Sequence, residues 1–157
     1  MKAEYINPFY KAAQDVFERM LDLSTERINL GVVEEMVTGK EANVIIGMTG
    51  DLAGTVLFSF PKKMTFEMVK IMSGLEVDKL DSFVTSALGE VANIISGNAA
   101  TYLSLEEYNC DIVPPQIIIG TNKSISLATD KALFLTLRTE IGEFDINLSI
   151  KERSNRQ

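Results

Sequence analysis

A helix-plus-hairpin pattern occurs twice along this chain, and that restricts its fold more than any single segment does. FYKAAQDVFERML, from Phe9, lies over FVTSALGEVANII, from Phe83, with Phe, Ala, Val or Ile, and Met or Leu coinciding in character. VIIGMTGDLAGTVLFSF, from Val44, lies over ALFLTLRTEIGEFDINL, from Ala132, when Gly54 is matched to Gly142. Self-similarity of this kind marks one supersecondary unit used twice. The first member of each pair has helical spacing of apolar residues, and the second reads as two strands around a glycine-bearing turn. The expected fold is α+β. Two α-β-β halves, at about 7–61 and 81–151, share one antiparallel sheet, and the two long helices pack on one face. A chain of 157 residues suits one such domain, here 1–157.

Taken in order, Asn7 to Leu23 reads as a helix with Pro8 in its first turn. Arg27 to Val37 reads as a strand that loses its pattern at Glu34-Glu35. Glu41 to Met48 and Gly54 to Phe60 form a strand pair, which Pro61 ends because it cannot donate to a ladder. Thr65 to Ser73 is expected as a short helix capped by Thr65, with Met64 stapled onto Val69, and stopped by Gly74. Met64, Met68 and Met72 are read as core filling rather than as an adaptable binding surface. After a helix over Asp81 to Ser104, LEEYNCDIVPP is expected to be irregular, since its prolines forbid a helix and end any strand. Gln116 to Ile119 and Ser124 to Ala128 read as short strands, and Ala132 to Arg138 with Phe144 to Ile150 as a closing pair.

The helix from Asp81 to Ser104 carries two unlike stripes. Val84, Ala87, Leu88, Val91, Ile94, Ile95 and Tyr102 gather on one side, with Asp81 or Ser82 as N-cap. Roughly opposite lie Ser86, Gly89, Glu90, Asn93, Gly97 and Ala100. Glu90 and Asn93, at i and i+3, stand side by side. Glycine inside a helix costs about 1 kcal/mol relative to alanine, so Gly89 and Gly97 point to the close approach of another surface. That surface is either a partner or the chain's own second long helix. A Glu and an Asn three apart on a solvated face are commonplace, so the pair alone decides nothing. Asn98, within the apolar face, is read as a buried side chain bonded to backbone. In the repeat, Glu90 falls opposite Val16 and Asn93 opposite Arg19, so one copy alone carries the carboxylate-amide pair.

Much chemistry is excluded. The chain has no histidine, which removes Ser-His and Cys-His nucleophiles and the commonest metal ligand. A net charge of −7 disfavours nucleic acid as a partner. No G-x-x-x-x-G-K-[ST] or G-x-G-x-x-G loop occurs to cradle phosphates. Cys110 is alone, which suits a reducing compartment. No apolar run reaches the roughly 20 residues of a membrane span, and MKAEYINPFY lacks a signal-peptide core. The cytoplasm is the expected location. Any catalysis must come from carboxylates, amides or hydroxyls.

ALGEVANIISGNAATYLS resembles the signature of the chemotaxis phosphatases of the CheC/CheX/FliY family. Their pattern is Ser or Asp, three residues, Glu, two residues, Asn, and a proline some twenty residues on. Ser86, Glu90 and Asn93 match, and Pro114 or Pro115 matches the last. One intact copy beside a degenerate helix, and PPQIIIG after GEVANIISGNA, are similar to the CheX branch. The resemblance implies hydrolysis of the aspartyl phosphate of the response regulator CheY. Asn93 then positions the attacking water, and Glu90 pairs with the regulator's active-site lysine. Ser86, Gly89, Gly97 and Ala100 let the regulator approach. It also implies no cofactor beyond a Mg²⁺ held by the regulator, no metal site here, and a homodimer joined sheet edge to sheet edge. The alternative is a non-catalytic adaptor that binds a regulator or a flagellar switch component through the same face.

Overall fold

A computed structural model describes residues 3–120 and 124–153. A 3-10 turn at Ala3–Tyr5 leads into α1 (Ile6–Leu21), then β1 (Glu26–Thr38), β2 (Ala42–Gly50), β3 (Leu52–Phe60) and α2 (Lys62–Ser73). There follow α3 (Ser82–Leu105), β4 (Cys110–Ile112), β5 (Gln116–Ile119), β6 (Ser124–Thr139) and β7 (Gly142–Glu152). The strands form one antiparallel sheet in the order β1-β6-β7-β3-β2-β4, with β5 also paired to β2.

Alternate residues of a strand point to one face, and the burial follows that rule. Val44, Ile46 and Met48, Val56 and Phe58, Leu133 and Leu135, and Phe144 and Ile146 are buried. They form one core with Phe9, Val16 and Phe17 of α1 and Leu88, Val91 and Ile95 of α3. At its centre the Phe144 ring stacks on Phe17 (centroids 4.8 Å apart, 7° between planes) and on Phe60 (5.1 Å, 20°). The helices therefore cover one face of one sheet, the α+β arrangement expected.

The sheet has an internal symmetry about its centre. Gly54 and Gly142 both have positive φ, 152° and 144°. The same alignment matches Phe58 to Ile146, and these two residues pair with each other across the β3-β7 ladder. A local two-fold at that pair carries β2-β3 onto β6-β7. It also carries β1, outside β6, onto β4 and β5, outside β2. Each half thus includes an edge strand in addition to its helix and hairpin.

Three segments differ from expectation. First, α2 begins at Lys62, with Pro61 (φ −65°, ψ 146°) as its N-cap. The reason is nonlocal: Glu41 Oε1 accepts from the Lys62 N–H at 2.9 Å, while Thr65 sits inside the helix and donates to the Lys62 carbonyl. Met64 and Met68 are buried and Met72 packs against the core, as core filling requires. Second, β4 is a strand, because its residues pair with Met48, Thr49 and Gly50 before the prolines are reached. Third, the strands expected at Ser124 and Ala132 are one long β6 that pairs with β1 at both of its ends. A register shift between Glu34 and Met36 falls where the pattern of β1 fails in sequence.

Two glycines with positive φ make opposite demands. A Cβ on Gly54 would lie 2.0 Å from the Ser149 carbonyl oxygen, whereas one on Gly74 (φ 78°), which closes α2, would meet nothing within 4 Å. Gly54→Ala is expected to cost more than about 3 kcal/mol, at the upper end of ordinary single substitutions. Gly74→Ala is expected to cost only about 1–2 kcal/mol for the left-handed backbone. Urea unfolding of the two variants compares these directly, and equal midpoints would refute the contrast.

Candidate functional site

The site is built on α3. Asp81 caps the helix, accepting from the Val84 N–H at 3.0 Å, so the first turn starts in a fixed register. Val84, Leu88, Val91 and Ile95 are buried as expected, while Ala87, Ile94 and Tyr102 are half-buried. The opposite crest carries Ser86 and Glu90, both exposed, with Asn93 half-buried beside them. Gly89 is buried, and Gly97 and Ala100 are half-buried further along.

Beside this crest lies a cleft of about 640 Å³, formed by Thr85, Ser86, Gly89, Glu90 and Asn93 on one side and residues 112–115 with Ile117 on the other. The facing wall has a clear origin. Ile112 pairs with Met48 and Gln116 with Ile45, so three residues of the wall strand oppose two of β2. That is a β-bulge, a device that re-aims side chains. Pro114 and Pro115 occupy it, where no N–H is available for the ladder. Val113 still donates to the Gly47 carbonyl at 3.0 Å. On the far side, Asn43 donates to the Ile118 and Lys40 carbonyls and accepts from Ser59 at 2.8 Å, tying β5 to the sheet.

The wall comes close to α3. A Cβ added to Gly89 would meet Pro115 Cγ at 3.5 Å and Ile117 Cδ1 at 3.7 Å, and one on Gly97 would meet Ile112 Cδ1 at 4.0 Å. The surface that approaches these two glycines is therefore β4, β5 and the bulge, not the first long helix. Ser86, Gly89, Glu90 and Asn93 line the cleft; Gly97 and Ala100 do not. Thr85 and the wall residues 112, 113 and 117 were not singled out by sequence, because only the folded chain brings them opposite α3.

The chemistry of the cleft is lopsided. It contains one carboxylate, one carboxamide and two hydroxyls, and no Lys or Arg lines it. A phosphate anion would find no cation there. Among the described residues no three His, Cys, Asp or Glu side chains gather to hold a metal. Burial pushes the Cys110 thiol up, so it is not a ready thiolate nucleophile. What remains is a carboxylate that can pair with a foreign cation and an amide that can both accept and donate. This is half of a site.

The sister helix shows what the other half of the fold did with the same positions. Phe9, Ala13, Val16 and Phe17 are buried, and their counterparts by burial are Val84, Leu88, Val91 and Ala92, while Phe83 is 46% exposed. The helices thus correspond one residue away from the sequence overlay, because the two Phe residues face different ways. Glu90 then answers to Asp15 and Asn93 to Glu18. Asp15 is engaged: the Tyr102 hydroxyl donates to it across the α1-α3 contact, which with burial raises the Tyr102 pKa. Lys11 Nζ lies 4.6 Å from the same ring. Asn98 is half-buried and lines a small cavity of about 170 Å³ with Asp15, Arg19, Thr101 and Tyr102. Among the described residues its side chain makes no hydrogen bond to backbone, contrary to expectation.

Comparison with known proteins gives a consistent picture. The family model for chemotaxis phosphatase CheX matches residues 42–138. The CheY-P phosphatase CheX of Thermotoga maritima is 26% identical, over 96% of this chain and 98% of its own. The crystal structure of a chemotaxis protein CheX from Desulfovibrio desulfuricans has a TM-score of 0.86 at 26% identity, covering 94% of this chain and 99% of that one. A CheX-CheY-BeF₃-Mg²⁺ complex from Borrelia burgdorferi has a TM-score of 0.76 at 29% identity, covering 96% of this chain and 100% of that chain. The matched span runs from β2 into β6 and so takes in all of α3, the bulge and the cleft between them. By that match, this chain belongs to the CheX family of chemotaxis phosphatases.

Proposed function

We propose that this protein hydrolyses the aspartyl phosphate of a CheY-type response regulator, with Asn93 orienting the attacking water and Glu90 docking the regulator. The observation that carries the reading is an exposed carboxylate with a half-buried amide one turn away, beside a cleft that no Lys or Arg lines. Water oxygen attacks phosphorus, and the bond from phosphorus to the aspartyl oxygen breaks. The proton of the water passes to phosphate, and the aspartyl oxygen leaves as a carboxylate. That leaving group has an ordinary pKa of about 3.9, so it needs no general acid. An acyl phosphate is already reactive, so the main requirement is an in-line water and stabilised charge. The amide oxygen of Asn93 accepts from water while its NH₂ donates to phosphoryl oxygen. The positive charge comes from the regulator, as a lysine facing Glu90 and a bound Mg²⁺. In the Borrelia complex a CheX is joined by CheY, BeF₃ and Mg²⁺, which supports that division of labour. Ser86 at the rim, and the low profile of Gly97 and Ala100, leave room for the partner to come down on α3. Gly89 forms the cleft floor.

We further propose an internally duplicated single domain that works in the cytoplasm as a homodimer. No helix among the described residues is long and apolar enough to cross a membrane. The dimer reading rests on β1. It ends the sheet, and among the described residues its outer edge pairs with nothing. Leu30 and Val32 pair with Leu135 and Leu133, so they continue the core-facing row outward, yet they are 43% and 61% exposed. A long apolar edge strand is a template for another strand, and a second copy closes it symmetrically.

Asn93→Ala is expected to lower the saturating rate of regulator dephosphorylation about 10²–10³-fold, the loss typical of one preorganised hydrogen-bonding group, while binding persists. Glu90→Ala should weaken binding as well as rate. Decay of a radiolabelled phosphorylated regulator measures both; the adaptor alternative predicts binding by the parent protein with no acceleration. For the dimer, Val32→Lys places a charge on the edge and is expected to yield monomers in sedimentation velocity where the parent protein dimerises. A parent protein that sediments as a monomer would rule the dimer out.

A further inference from the structure

The exposed large apolar side chains are few, and two of them flank the reactive pair. Phe83 is 46% exposed and Val113 is 43% exposed. Phe83 and Glu90 are seven residues apart on α3, about two helical turns, so they stand nearly in line on the same crest. Val113 lies across the cleft, on the bulge wall that faces Asn93. An apolar residue thus stands at each side of a polar, catalytically disposed centre.

We propose that Phe83 and Val113 are the apolar anchors by which this protein seats a phosphorylated receiver domain over Glu90 and Asn93. The proposal rests on the reading of that pair as entering a regulator's active site. If it does, a folded domain must cover this crest. A specific interface buries about 800 Å² per partner, roughly a disc of 16 Å radius. Phe83 lies about 13 Å along the helix from the middle of the pair, at 1.5 Å per residue, and so falls beneath such a footprint. The chemistry also asks for such flanks. A single positioned water works best where other water is excluded, and apolar contacts around an energetic centre do that. Val113 is held before the partner arrives, by its N–H on Gly47 and by the restriction that Pro114 imposes on it. Little ordering is then left for binding to oppose. The occupant is a domain presenting a phosphoaspartate, a lysine and Mg²⁺ in a polar pocket, with apolar side chains around its rim.

The test uses a fluorescently labelled receiver domain carrying beryllofluoride and Mg²⁺, titrated with full-length protein and read by anisotropy. Phe83→Ala is expected to weaken binding about tenfold, equivalent to about 1.4 kcal/mol, with Phe83→Tyr restoring most of it. Val113→Thr, which keeps the shape and replaces one methyl by a hydroxyl, should weaken it several-fold. Leu105→Ala should change nothing: Leu105 is 77% exposed but about 20 Å along the helix from the pair, outside the footprint. In the dephosphorylation assay the Phe83→Ala effect should fall on the half-saturating concentration, opposite to Asn93→Ala, and its urea midpoint should match the parent protein. Unchanged binding by Phe83→Ala, or equal losses from Leu105→Ala, would overturn the proposal. So would absence of binding by the parent protein. If the parent binds but does not speed phosphate loss, the phosphatase reading fails while the anchors are still tested by the titration.

Discussion

The contact between Gly89 and the proline bulge decides what this fold can present. Two prolines on the free edge of β2 cannot continue the ladder, so the chain leaves the sheet there and leans over α3. It can lean that far because Gly89 offers no side chain beneath Pro115, whose Cγ stands only 3.5 Å from where a Cβ would be. The approach creates a cleft rather than a closed seam. The bulge holds the wall away from the Glu90 and Asn93 side chains while the backbone around it stays pinned by Val113, Asn43 and the β2-β5 ladder. A rigid wall and a capped helix hold the two groups where they are needed. Positions fixed by packing in advance are what make a single hydrogen-bonding group worth several orders of magnitude in rate.

The electrostatics of the cleft explain why it has to act with a partner. A carboxylate with no cation near it repels a free phosphate. The same carboxylate, exposed on a helix crest, is well disposed toward a lysine that another protein brings. No Lys or Arg lines the cleft, so the complementary charge is not available there. On the proposed reading, catalysis and recognition use the same two residues.

The long helix, its cap, both hairpins and the turn glycines were legible in the sequence because their signals are local and periodic. The pair itself was legible only as a spacing, and its meaning came from the resemblance that Ser86, Glu90, Asn93 and the prolines carry. The start of α2 was not legible, because its first N–H is held by Glu41 from the hairpin before it. Nor was β4, a three-residue strand that exists because β2 offers it an edge. The helix register of the repeat was misread because matching Phe9 to Phe83 matches residue types whose environments differ: one is fully buried, the other stands in solvent. Sequence similarity between two helices reports composition more readily than facing.

The corrected register changes how the two halves compare. Asp15 occupies the place of Glu90, so the first helix retains a carboxylate there, but Glu18 stands where the amide would be and Asp15 is engaged by Tyr102. The edge strands diverge in the same sense. Under the local two-fold, β1 corresponds to β4 and β5. In the second half that strand is broken by Pro114 and Pro115 and leans toward its helix, and a cleft opens. In the first half it is one strand of thirteen residues, paired with β6 on both sides of a register shift, and it offers its far edge. On the proposed reading, one break in a strand separates a surface for a transient, charged partner from one for a second copy of the chain. On the proposed duplication, both are served without either half compromising the core, because the change is confined to the edge of the sheet, where the ladder has no further neighbour to satisfy.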